Sequence, residues 1–126
     1  MQIRPVCLSV HYFAIAMYFQ LYKIVTYIPE SALETVKNAM FEAGAGHYGN
    51  YSHCCWQTLG VGQFRPLDGS NPSIGEVNQT TTVSEWKVEM IVPENKLCDV
   101  VQAYKDAHPY EVPAYEVYQT VDVESD

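Results

Sequence analysis

The sequence is poor in positive charge: seven Lys and Arg stand against fifteen Asp and Glu in 126 residues, a formal charge of −8. Those seven are scattered, so no basic stripe is available for a phosphate backbone and nucleic acid is not expected as a partner. An acidic surface attracts cations and basic partners, but it also serves simply to keep a protein in solution. Long apolar runs are missing too. The longest near the N-terminus, Pro5 to Phe13, is broken by Ser9 and His11 and is too short to span a bilayer. Behind a single Arg4 and followed by Ala14-Ile15-Ala16, it imitates a secretory signal only poorly, and Met17 offers an alternative start. Residues 1–20 are therefore read as an N-terminal extension and 21–126 as one domain, cytoplasmic and without a membrane partner. The four cysteines, Cys7, Cys54, Cys55 and Cys98, have no CxxC spacing, and the adjacent pair cannot easily bridge, so a reduced chain is expected. There is no HExxH, no P-loop and nothing that reads as a dinucleotide-binding fingerprint. No nucleophile and base stand in a recognisable arrangement, and no residue is assigned a catalytic role.

What is present is a repeat. Lys23-Ile24-Val25 and Ile28-Pro29-Glu30 recur as Lys87-Val88-Glu89 and Val92-Pro93-Glu94, an offset of 64 residues (87 − 23). The match continues through Leu33 and Leu97, Val36 and Val100, Met40 and Tyr104, and Ala43 and Ala107. In the first half, Tyr22 to Ile28 is rich in β-branched and aromatic residues and stops at Pro29, which cannot donate to a ladder. Ser31 with Glu34 forms a capping-box pattern, the stripe Leu33, Val36, Met40 and Ala43 predicts a helix, and Gly44 closes it. In the second half, Trp86, Val88, Met90 and Val92 alternate against Glu85, Lys87 and Glu89, and Asn95 opens a helix carrying Leu97, Val100, Val101 and Tyr104. Ser52 to Arg65 and Ala114 to Val121 supply the remaining strands, with Gly60 and Gly62 predicting a bend or bulge. The order is β-α-β-β-α-β: an α+β, ferredoxin-like sandwich with an antiparallel sheet and two helices on one face. Aromatic residues such as Trp56, Trp86 and Tyr115 exceed what one helical layer needs, so the other face is expected to be covered by oligomerisation. Leu67 to Thr82 reads as a long, functionally disposed loop.

Candidate ligands gather just after each helix. The first cluster holds His47, His53 and Cys54, the second His108 and Glu111 in His108-Pro109-Tyr110-Glu111. Imidazole, thiolate and carboxylate together suit a divalent metal such as zinc or copper, although the spacing follows no standard site and structural roles compete at every position. Buried packing is the stronger expectation for Cys54 and Cys55.

Four motifs in order resemble a known family: Gly44-Ala45-Gly46-His47-Tyr48-Gly49-Asn50-Tyr51-Ser52, Gly60-Val61-Gly62-Gln63-Phe64-Arg65-Pro66, Asn71-Pro72-Ser73-Ile74-Gly75 and His108-Pro109-Tyr110-Glu111-Val112-Pro113-Ala114-Tyr115-Glu116. The stretch from about Tyr22 to Val121 is similar to the domain inserted into the GTP cyclohydrolase 1 type 2 homologues, the YqfO or Nif-three-like proteins. The resemblance implies a fold like the PII signalling proteins and CutA, and with it a trimer. Gly49, Asn50, His108, Pro109, Tyr110 and Glu111 match the family pattern, whereas Tyr48 stands where the family commonly has a hydrophobic residue; Gly46, Tyr48, Gly49, Asn50 and Tyr110, at the two helix exits, are the candidate ligand-binding positions. Nothing here matches the two-metal core of the full-length relatives, so their hydrolytic chemistry is not carried over. Glu116 stands where the family often has aspartate. The expectation is an oligomeric regulatory or sensory module that binds a metal ion or small metabolite. The alternatives are a structural adaptor for a protein partner, and a small hydrolase using His108 and Glu111 for proton transfer.

Overall fold

The structure, a computed structural model, describes residues 20–123; the expected N-terminal extension lies almost wholly outside them. The elements are β1 (Leu21–Pro29), a 3-10 turn (Glu30–Ala32), α1 (Leu33–Ala43), β2 (Trp56–Phe64), β3 (Thr81–Pro93), a second 3-10 turn (Glu94–Lys96), α2 (Leu97–Ala107) and β4 (Tyr115–Gln119). The sheet order is β2-β3-β1-β4 with every pair antiparallel, which is the expected ferredoxin-like arrangement. No helix among the described residues is long and apolar enough to cross a membrane.

Period-two alternation aims Tyr22, Ile24, Thr26 and Ile28 of β1 and Val88, Met90 and Val92 of β3 at the helices, where all are buried. They meet Leu33, Val36 and Met40 from α1 and Leu97, Val100 and Tyr104 from α2, the residues of the two predicted stripes. Thr26 is the polar residue in this layer, and its hydroxyl donates to the Val88 carbonyl at 3.0 Å. In the register of β1 with β3, Val25 pairs with Glu89, its own repeat equivalent (25 + 64 = 89). The pseudo-two-fold relating the halves therefore passes through this pair, and equivalent features of the two halves lie at opposite ends of the sheet.

Three local expectations are corrected. Neither Ser31 nor Asn95 caps a helix with its side chain. Pro29 and Pro93 instead end their strands in extended geometry, and each chain enters its helix through a 3-10 turn whose first carbonyl, Glu30 or Glu94, accepts from Leu33 or Leu97. Gly60 and Gly62 make no bulge, since β2 pairs with β3 in unbroken register from Trp56↔Glu89 to Phe64↔Thr81. What Gly62 provides is space, because a Cβ there would collide with the Glu85 carboxylate. Finally, Cys54 and Cys55 are free, but Cys98 is disulfide-bonded, so the expectation of a fully reduced chain fails at that residue. The expected helix stop at Gly44 is present: its φ of 122° lets its N–H reach the Met40 and Phe41 carbonyls.

β3 outruns β1. Its residues 85–93 pair with β1, while 81–84 continue with 61–64 of β2 as a projecting ribbon. The connection across residues 65–80 folds back from that ribbon, held by the Asn78 N–H to the Pro66 carbonyl at 2.6 Å and by Arg65 Nε to Thr80 Oγ1 at 3.0 Å.

Candidate functional site

At the end of α2 the His108 N–H still reaches the Tyr104 carbonyl, but His108 is extended (φ −78°, ψ 138°), as a residue before proline prefers. Its ring turns inward and is buried. Nε2 lies 2.8 Å from the Tyr27 carbonyl and donates to it, while Nδ1 accepts the Tyr110 N–H at 3.1 Å. A ring that donates on one side and accepts on the other is neutral, and burial lowers its pKa. The rings of Tyr104 and Tyr110 stand edge-on to it, at 5.1 and 4.5 Å. Tyr104 in turn donates its hydroxyl to the Ala114 carbonyl at 2.7 Å, and burial raises its pKa. Segment 108–114 is thus pinned across the C-terminal end of β1.

Between this segment and the long loop lies a cleft of about 400 Å³. Phe64, Pro72 and Ile74 form one wall, Tyr110 and Val112 the other, and Tyr27 part of the floor. Two carboxylates line it. Glu85, on the open face of β3, accepts the Tyr110 hydroxyl at 2.8 Å, an interaction that together with burial raises the pKa of Tyr110. Glu111 accepts the Asn71 N–H at 2.9 Å and so ties the loop to the helix exit. Tyr27 donates to Glu116 at 2.8 Å, and this bond is the main reason its pKa is pushed up to about 12. Ser70 donates to the Leu67 carbonyl at 2.7 Å. The hydroxyls of Tyr27, Tyr110 and Ser70 are therefore already engaged as donors, and no Lys, Arg or His lines the cleft.

The first helix exit folds differently. The Gly46 N–H donates to the Ile91 carbonyl at 2.8 Å and the Cys54 N–H to the Gly46 carbonyl at 2.9 Å, which closes residues 46–54 into a loop. At its tip Tyr48 and Tyr51 exchange backbone hydrogen bonds across Gly49 and Asn50. Gly49 at the first central position has φ 60°, the left-handed geometry a type II′ turn demands there. At Gly46 a Cβ would press into the Cys54 carbonyl and the Phe41 ring, both at 2.8 Å. His53 packs against Phe41 with ring centroids 4.8 Å apart and the planes tilted by 50°, and it shares a 2.9 Å hydrogen bond with Ser52. The letters Gly44-Ala45-Gly46-His47-Tyr48-Gly49 satisfy G-x-G-x-x-G, but they follow a helix instead of opening one, so no helix N-terminus faces a phosphate here.

Ile91, which anchors this loop, and Glu85 are six residues apart along β3, roughly 20 Å at the usual strand rise. The two clusters that looked equivalent in sequence are equivalent by pseudo-symmetry, and that is what separates them. The fold gathers Tyr110 and Glu111 into the cleft, places His108 in the core beside it, and leaves Gly46, His47, Tyr48, Gly49, Asn50, His53 and Cys54 at the far end. Among the described residues no group of three or more His, Cys, Asp and Glu stands close enough together to hold a metal ion. Glu85, Tyr27 and Phe64 escaped sequence reasoning. Glu85 looked like one more polar residue on a wet strand face, and its signal was the pair of small residues, Gly60 and Gly62, on the neighbouring strand.

No family model matches the chain. It is 46% identical over 99 residues to a protein of Mycobacterium tuberculosis named GTP cyclohydrolase 1 type 2 homolog, covering 79% of this chain and 26% of that one. The Bacillus subtilis protein of the same name is 43% identical over 96 residues, covering 76% and 26%. The chain thus spans about a quarter of the length of the relatives it matches. Among solved structures, a Bacillus cereus protein related to NIF3 superposes with a TM-score of 0.73 at 37% identity, over 84% of this chain and 27% of that one. CutA from Synechococcus elongatus (TM-score 0.59, 17% identity, 81% and 78% covered) and the B. subtilis GlnK-ATP complex (0.54, 13%, 81% and 84%) share the fold.

Proposed function

Because this chain is a relative, over about a quarter of their length, of the GTP cyclohydrolase 1 type 2 homologs, we propose that it is a non-catalytic, oligomeric binding module with a regulatory or sensory role, and that the cleft at the second helix exit is its ligand site. The observation that carries this reading is the way the long loop folds over that exit and is tied down by Glu111, leaving a half-open cleft of about 400 Å³, within the range of small-molecule sites. A homotrimer is the proposed assembly. Support comes from the shared fold with CutA and GlnK and from the open sheet face, where Trp56 and Tyr118 are more than half exposed.

The ligand is a small metabolite in preference to a metal ion. The donors do not fit zinc or copper: both ring nitrogens of His108 are engaged, Glu111 holds the loop, and His47, His53 and Cys54 belong to the opposite end. The same engagement of His108 leaves the hydrolase reading without a proton-transfer pair. The adaptor reading keeps one observation in its favour, the exposed aromatic group Tyr48, Tyr51 and Trp56 at the first exit.

A thermal-shift screen of a metabolite panel, with zinc and copper included, tests the proposal. Metabolites that raise the melting temperature of the native chain lose that effect in Phe64→Ala. If the effect survives that substitution, the cleft is not the site. Stabilisation by zinc or copper that His53→Ala abolishes would reinstate the metal reading.

A further inference from the structure

The lining of the cleft selects a chemical class of ligand, an inference that rests on the cleft being the binding site. We infer that it takes a small organic cation, an ammonium or amidinium group carried on an apolar body.

The charged chemistry is one-sided. Three hydroxyls that face the cleft, those of Tyr27, Tyr110 and Ser70, donate to protein acceptors. Ser73 and Gln63 add neutral groups to the lining, but its charged groups are acceptors alone: Glu85 and Glu111 each accept one hydrogen bond from the protein, and a carboxylate has about four lone-pair positions. A ligand group that meets these oxygens has to be a donor, and a positively charged donor makes the stronger bond. An anion would meet two carboxylates with no Lys, Arg or His to offset them, in a chain of net charge −8. The neighbour solved with ATP has the same fold, but a triphosphate has no counter-charge in this lining.

The remaining walls exclude a bare metal ion. Calcium requires six to eight oxygens and magnesium a near-octahedral set, whereas two carboxylates here face the apolar surfaces of Phe64, Pro72, Ile74 and Val112. Those surfaces, with the Tyr110 ring edge-on to His108 and 6.4 Å from Phe64, offer burial to an alkyl or aryl group and ring faces to its charge.

The test is an NMR titration of the full chain at pH 7 with three probes: phenethylamine, its anionic counterpart 3-phenylpropionate, and magnesium-ATP. Phenethylammonium is expected to shift the Phe64 and Tyr110 ring signals, and its affinity is expected to fall about tenfold or more in Glu85→Gln and in Glu111→Gln. Both substitutions keep an acceptor oxygen for Tyr110 and Asn71 and nearly the same shape, while the charge is lost and the second oxygen becomes an NH2 donor, so the cleft itself is preserved. Shifts at Phe64 and Tyr110 produced by 3-phenylpropionate or ATP, and not by the amine, would overturn the ligand class while leaving the cleft as the site. Undiminished amine affinity in both variants would overturn the role of the carboxylates and so the class. Absence of cleft shifts with all three probes would overturn the cleft and the inference together.

Discussion

His108 holds the second helix exit with both ring nitrogens, so a second proton on the ring must displace the Tyr110 N–H from Nδ1. The thermodynamic sign follows from its lowered pKa. The unfolded chain takes up this proton near pH 6.5 and the folded chain only at lower pH, so below about 6.5 the unfolded state binds more protons. This contribution to stability is complete above about pH 6.5 and is lost as the pH falls toward the folded-state value. Urea unfolding of the native chain is expected to show a midpoint that declines between pH 7 and 5. In His108→Gln the starting midpoint is lower, because one or both hydrogen bonds are weakened, and the decline over the same interval is shallower. An equal decline in both proteins would show that His108 is not the titrating group.

The loop and the helix exit form one device because a single side chain joins them. Glu111→Ala removes the acceptor for the Asn71 N–H, and no other hydrogen bond described between loop and exit replaces it. Amide exchange at Asn71 is expected to accelerate at least tenfold. The amides of Val88 and Met90 stay protected, since their β1–β3 ladder lies in the core. Parallel acceleration in the ladder would mean that the loop is part of the global folding unit. The helices were read correctly from their stripes, because burial against the sheet is periodic and sequence records period. Their entry was misread for a related reason. Ser31 and Asn95 have the chemistry of caps, but the strand-ending prolines set the direction of the chain before those residues are reached, and the 3-10 turns supply the carbonyls instead.

For the molecule as a whole, the open sheet face mixes a Lys23–Glu89 ion pair at 3.2 Å with exposed Trp56 and Tyr118. Such a face is expected to be covered by other copies of the chain. Sedimentation equilibrium at micromolar concentration should return three times the 14.3 kDa chain mass, and Trp56→Glu should shift the protein toward monomer. A monomeric native chain would remove the trimer from the proposal without touching the cleft, whose walls all come from one chain.

The sequence by itself determined the two-half plan, the strands, the helical stripes and the two helix exits. Each of these depends on near neighbours in the chain and on the periods 2 and 3.6, which are written in residue order. It also marked Tyr110 and Glu111. Tertiary structure decided that the two exits never meet, because an antiparallel β1–β3 pair with a two-fold through Val25 and Glu89 sends them to opposite ends. It decided that His108 supports the site from within the core and that Glu85 belongs to the site. Which side chains face a common space depends on strand register and on where a loop folds back, and neither is carried by any local stretch of sequence.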